Sequence, residues 1–154
     1  MRLLKGIGIF FLAAFVIIQF FKPDKNVSKK VSTDAITSVL MVPQNVKVVL
    51  QNACYDCHSN NTRYPWYVNV QPVGWFMANH ITEAKDKLNF DLFGTYSHRR
   101  QLSKLKSIAG SVKDESMPLF SYTLMHRDAR LSSTEKSLLI DWALKTKDSL
   151  EAAK

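Results

Sequence analysis

Cys54, Cys57 and His58 stand together in the stretch Cys-Tyr-Asp-Cys-His, and the chain has no other cysteine. Two thiols separated by two residues serve three kinds of chemistry: a redox disulfide, half of a tetrahedral zinc site, or thioether anchorage of a haem. A thioredoxin-like pair is expected beside a β-α-β pattern, and none surrounds this one. Structural zinc needs four ligands, and only His58, His80, His98 and His126 remain to complete the two thiols, without a second tight pair. A disulfide across so short a loop constrains little chain, although an exported protein permits one. The histidine directly after the second cysteine favours haem. In C-x-x-C-H both thiols join the haem vinyl groups, and the adjacent imidazole comes under the iron as proximal ligand. The expected cofactor is one covalently attached haem c on Cys54, Cys57 and His58, with zinc and a redox disulfide as alternatives.

The other face of the iron has three candidates. Met117 stands before Pro118, whose fixed backbone stiffens the loop that carries it. A soft sulfur ligand favours ferrous iron and raises the reduction potential. Its bland reading is a core methionine, as expected of Met41, Met77 and Met125. His80 and His126 are the alternative distal ligands, and a bis-histidine site would have a lower potential. Their bland roles are hydrogen bonding in the core, at a turn or to a haem propionate. His98 stands in a basic run and reads as surface. Between the thiols and the next helix lie Tyr64, Pro65, Trp66, Tyr67, Pro72 and Trp75. Trp66 and Trp75 are expected to touch the haem and keep water from it, which tunes the potential. Arg63 suits either a propionate or the surface.

These residues must be positioned by helices. Pro43 suits a first helical turn, and Val46, Val49, Leu50 and Ala53 follow as one apolar stripe ending at the motif. Phe76, Met77, Ile81, Ala84 and Leu88 predict a second helix over residues 73–88, and Leu102, Leu105, Ala109 and Val112 a third. Ser132 and Glu135 have capping-box spacing ahead of Leu138, Leu139, Trp142 and Ala143. No alternating strand and no internal repeat appears. The predicted class is all-α, and 154 residues suffice for one domain with a core.

The N-terminus reads differently. Arg2 and Lys5 precede an apolar run from Gly6 to Phe21, closed by Lys22 and Pro23. That run is about 24 Å as a helix, short for a roughly 30 Å hydrocarbon core, but Leu3 and Leu4 lengthen it. With no small-residue cleavage site after it, it is expected to be an uncleaved signal anchor over residues 1–22. Residues 23–38 then form a tether and 39–150 the cofactor domain. Positive charge ahead of the apolar run keeps the N-terminus in the cytoplasm, so the expected location is the inner membrane, single-pass, with the domain facing the periplasm. The net charge of +8 is spread over the chain and suits an acidic or membrane-bound redox partner. Export and the lack of any nucleic-acid motif oppose nucleic acid as a partner.

Residues 54–81, 88–93 and 117–142 together resemble the bacterial haem-binding domain family of small, usually exported C-x-x-C-H proteins. The resemblance covers about residues 42–142 and rests on C-x-x-C-H combined with the aromatic stretch and the later Met-Pro. The family is similar to monohaem cytochromes c in its order of parts: N-terminal helix, C-x-x-C-H, Met-Pro loop, C-terminal helix. By that resemblance the domain is cytochrome c-like, and Met117 stands where a cytochrome c delivers its thioether ligand. Two functions are compatible. One is a membrane-anchored electron carrier with His58 and Met117 on the iron. The other is a haem peroxidase or a gas or redox sensor with an open or displaceable distal ligand, in which His80 or His126 with an arginine handles protons. Cys54→Ser or Cys57→Ser is expected to abolish or loosen haem retention on a denaturing gel stained for haem, whereas undiminished retention would exclude thioether attachment.

Overall fold

The apolar stripes spaced three and four residues apart do fold as helices, in a computed structural model that describes residues 2–28, 30 and 32–153. In chain order the helices are α1 (Arg2–Ile18), α2 (Ile36–Val39), α3 (Gln44–Ala53), α4 (Tyr55–His58), α5 (Val73–Lys87), α6 (His98–Lys113), α7 (Phe120–Met125) and α8 (Ser133–Ala152). Short 3-10 turns cover Trp66–Asn69, Phe90–Thr95 and Arg127–Ala129. Among the described residues there is no strand, only an isolated antiparallel bridge between Val27 and Asn61.

The core is built by α3, α6 and α8. The stripe read from sequence on α3, Val46, Val49, Leu50 and Ala53, is buried. It meets Leu105, Ile108, Ala109 and Val112 of α6 and Leu139, Trp142 and Ala143 of α8, the two helices that pack on each other most extensively. Phe90 and Phe93 fill the middle, and Ile36 of α2 closes one side. Each such side chain contributes roughly 1.5–3 kcal/mol on leaving water. The ends of the helices are satisfied locally. Ser132 and Glu135 form the expected capping box, and the Ser97 hydroxyl accepts from the Arg100 amide.

α5 departs from its expected face. Its buried residues are Gly74 and Ile81, while Phe76 is 64% exposed. The helix rests on the Trp66–Asn69 turn through Gly74, where an added Cβ would lie 2.4 Å from the Val68 carbonyl oxygen. That close approach selects the face carrying Gly74, Ile81 and Leu88 and rotates Phe76 out to solvent.

The N-terminal third also differs from expectation. α1 buries none of its side chains, and among the described residues no helix is long and apolar enough to cross a membrane. Its 17 residues make about 26 Å, and Gln19 ends it. The Gln19 side chain exchanges hydrogen bonds with the Gln71 backbone at 2.8 and 3.2 Å, and the Trp75 indole N–H donates to the Phe21 carbonyl at 2.6 Å. Residues 23–38, expected as a tether, lie along the domain. The Asn26 amide donates to the Ser59 carbonyl and the Thr62 hydroxyl, Ile36 is fully buried, and the Asp34 carbonyl accepts from the Gly94 amide.

Gly74→Ala is expected to lower stability in chemical denaturation by about 1–3 kcal/mol, because its methyl group would meet backbone. Gly110→Ala, with nothing within 4 Å of the new Cβ, should instead be neutral or stabilising by up to about 1 kcal/mol.

Candidate functional site

The C-x-x-C-H motif forms the single turn α4. α3 stops at Cys54, whose carbonyl accepts the His58 amide at 2.9 Å and the Cys57 amide at 3.2 Å. A helical turn puts residues four apart on one face, so Cys54 and His58 share a side and Asp56 points elsewhere. His58 Nδ1 lies 2.9 Å from the Leu88 carbonyl and 3.1 Å from that of Ala84. Carbonyls only accept, so Nδ1 carries the proton and Nε2 keeps its lone pair. Burial lowers the imidazole pKa and opposes the cationic form, although the two carbonyl bonds pull the other way. The result is a neutral imidazole held at its outer nitrogen with the inner one available, as metal-ligating histidines are.

Asp56 holds this turn from behind. Buried itself, it accepts from the Arg63 amide at 3.0 Å, from the Arg63 guanidinium at two positions, each 3.1 Å, and from the Tyr122 hydroxyl at 2.6 Å. The Asp56 carbonyl also takes the Thr62 hydroxyl at 2.6 Å. Tyr122 stacks on His126 at 4.3 Å, and His126 Nε2 meets the Tyr67 hydroxyl at 2.8 Å. Burial and the bond to Asp56 push the Tyr122 pKa up.

In front of the turn is a cavity of about 280 Å³, and Cys54, His58, Phe90, Ile108, Val112 and Met117 are in its wall. Met117 arrives by a reversal of the chain after α6. Glu115 has a positive φ of 56°, and the Met117 amide then donates to the Ser111 carbonyl at 3.2 Å. The Met117 side chain sits at the mouth, 37% exposed. Three of the residues singled out by sequence, Cys54, His58 and Met117, thus converge from α3, α4 and the loop ahead of α7.

The other site candidates singled out by sequence lie outside the cavity wall. Cys57 does not line the cavity; it is half-buried on the Asp56 side of α4, close enough for the two thiols to influence each other. Neither Trp66 nor Trp75 reaches the cavity. Trp66 is 78% exposed and edge-on to Tyr67, and Trp75 is turned to the end of the N-terminal helix by its bond to Phe21. His80 and His126, the alternative distal ligands, are outside too: His80 packs on Phe76 and bonds its carbonyl, and His126 belongs to the Tyr67–Tyr122 cluster. His98 opens α6. Arg63 is engaged by Asp56. Sequence reasoning missed Asp56, whose signal was an acid inside the motif, and Lys87 and Lys104, which also line the cavity.

Both thiols are free. Burial and the neighbouring Cys57 push the Cys54 pKa up to about 12; burial and Asp56 push that of Cys57 up to about 11. A catalytic dithiol depends on a lowered thiol pKa, the opposite of what this setting produces. Among the described residues no group of three or more His, Cys, Asp or Glu side chains converges to hold a metal ion, so the thiols lack partners for a zinc site.

Residues 13–145 match the family described as a haem-binding domain. The chain belongs to that family. No curated protein and no solved structure matches it. As a haem-binding domain the chain has a donor set that fits: an imidazole with Nε2 available, a thioether sulfur and a thiol around one largely apolar cavity. The family match also bears out the resemblance drawn from C-x-x-C-H and Met-Pro.

The raised thiol pKa values have a measurable consequence in the haem-free protein. At pH 8 a shift from 9 to about 11 leaves Cys57 roughly a hundredfold less thiolate than an ordinary cysteine. Alkylation should therefore be slowed by about that factor relative to the unfolded chain, with Cys54 slower still. Equal rates folded and unfolded, followed by mass spectrometry, would refute the burial of the pair.

Proposed function

We propose that this haem-binding protein carries single electrons through one covalently attached haem c. The observation that supports it most is the meeting of Cys54, His58 and Met117 at one cavity, with both histidines that rival Met117 lying elsewhere. Bound haem supplies an iron that alternates between ferric and ferrous. In this reading Cys54 and Cys57 hold the group by thioethers, and the reach of Cys57 from beside Asp56 is a requirement of it. His58 offers Nε2 as proximal ligand, kept in register by the Ala84 and Leu88 carbonyls. Met117 offers a soft sulfur on the distal side, which favours the ferrous state. Phe90, Ile108 and Val112 exclude water from the cavity. The peroxidase or sensor alternative needs an acid–base group beside the open position, and neither His80 nor His126 supplies one there.

The net charge of +8 supports an acidic redox partner drawn in by long-range attraction, and no nucleic acid enters the reading. A membrane association through α1 is part of the same proposal. Arg2 and Lys5 lie near the start of α1, whose Leu3, Phe10, Phe11 and Leu12 are all exposed, an apolar surface that lipid would cover. In this proposal the haem domain faces the periplasmic side of the inner membrane, a reading supported by the positive charge at the start of the apolar segment.

The test is an optical spectrum of the protein made with a c-haem maturation system. The expected ferric form shows a sulfur-to-iron charge-transfer band, and the ferrous form does not bind carbon monoxide. Met117→Ala should abolish that band and admit carbon monoxide, while His80→Ala and His126→Ala should retain the band. A wild-type protein that lacks the band, or an unchanged Met117→Ala spectrum, would overturn the His58–Met117 assignment.

A further inference from the structure

The charged part of the cavity wall is not explained by ligation. Among the described residues two charged side chains line it, Lys87 and Lys104, and both are cations. They come from different elements, the last turn of α5 and the second turn of α6, so their convergence is a product of the fold. Among the described residues neither takes part in an ion pair, in contrast with Lys136 and Lys147. Ser107, one turn beyond Lys104 on the same face, donates its hydroxyl to the Ser103 carbonyl at 2.9 Å. The rest of the wall is mainly apolar, so an anionic group entering the cavity would find its counter-charge in these two ammonium groups.

A haem carries two carboxylates at the edge away from its vinyl groups, ionised at neutral pH. Other side chains able to bind a carboxylate are engaged elsewhere. The Arg63 guanidinium binds Asp56, the Trp75 indole N–H binds the Phe21 carbonyl, the Tyr67 hydroxyl meets His126, and the Tyr122 hydroxyl binds Asp56. We propose that Lys87 and Lys104 bind the haem propionates at the rim of the Cys54–His58–Met117 cavity and thereby set which edge of the haem points outward. The inference rests on the haem c reading and assigns it a second, electrostatic end: thioethers at one edge, an ammonium pair at the other. A lysine ammonium is a compact point charge on a flexible stem, suited to a carboxylate at a partly open rim.

The charge pair also bears on the iron. Bare propionates, being negative, favour the ferric state, and pairing each with an ammonium group offsets that preference. Removing an ammonium leaves negative charge beside the iron and lowers the reduction potential. Because thioethers retain the haem, the lysine variants keep it, and the potential becomes a readable quantity.

The experiment compares optical redox titrations of the holoprotein with those of Lys87→Gln, Lys104→Gln, the double Gln variant and the double Arg variant. Lys106→Gln serves as control: it is on the same helix as Lys104, with the same change of charge, but outside the cavity wall. The expected result is a downward shift in each single Gln variant, a larger one in the double, recovery with arginines, and a smaller shift in Lys106→Gln. A double Gln variant shifted no further than Lys106→Gln would overturn the inference while leaving covalent haem intact. A wild-type protein with no haem on a denaturing gel would overturn the haem c reading and this inference with it.

Discussion

The bonds from His58 Nδ1 to the Ala84 and Leu88 carbonyls are the constraint on which the site depends. They are made at the C-terminal end of α5, where the Ala84 carbonyl also accepts the Leu88 amide and the Leu88 carbonyl, past the last turn, needs a partner from outside the helix. α5 supplies the acceptors because its C-terminus lies against α4, and the imidazole satisfies them. One interaction therefore does three things. It ties the end of α5 to the motif, it fixes the histidine tautomer, and it leaves the Nε2 lone pair available on a residue of the cavity wall. Lys87 lies in sequence between Ala84 and Leu88, whose carbonyls accept these bonds, so the same docking of α5 also brings a cation to the cavity wall.

The turn is held on its other side by Asp56. A buried carboxylate is costly unless paired and hydrogen-bonded, and this one has a guanidinium, an amide and a phenol. Through it the Arg63 loop and α7 are both tied to the C-x-x-C-H turn, and α7 follows directly on the Met-Pro loop. The placement of Met117 is therefore coupled to Asp56 as well as to the Ser111 carbonyl. The aromatic stretch after the motif takes its meaning from this side. Tyr67 and Tyr122 enclose His126 in a hydrogen-bonded stack that braces α7, while Trp75 serves the junction with the N-terminal segment. Aromatic residues near a C-x-x-C-H are easily read as a haem wall; here the wall of the cavity beside the motif includes Phe90, Ile108 and Val112 instead.

Much of the architecture could be read from the chain because it depends on local periodicity. The α3 stripe from Val46 to Ala53, the α6 stripe through Leu105 and Val112, and the Ser132–Glu135 capping box all depend on spacing along one helix, and all are present as read. The α5 face was misread at Phe76 because it is chosen by a contact with residues 66–69, which no helical period encodes. The N-terminal segment was misread as a bare tether because its partners, Ser59, Thr62 and Gly94, are distant in sequence.

By itself the sequence determined the helical class and the haem-binding family, since these depend on residue type at fixed short spacing. The tertiary structure alone decided that Met117, not His80 or His126, shares a cavity with His58, because that choice turns on where three separate elements dock. It also turned Trp66 and Trp75 away and brought Lys87 and Lys104 in. Side chains from α5 and α6 meet only when both helices pack against the C-x-x-C-H turn, and a meeting of that kind leaves no periodic trace along a single chain.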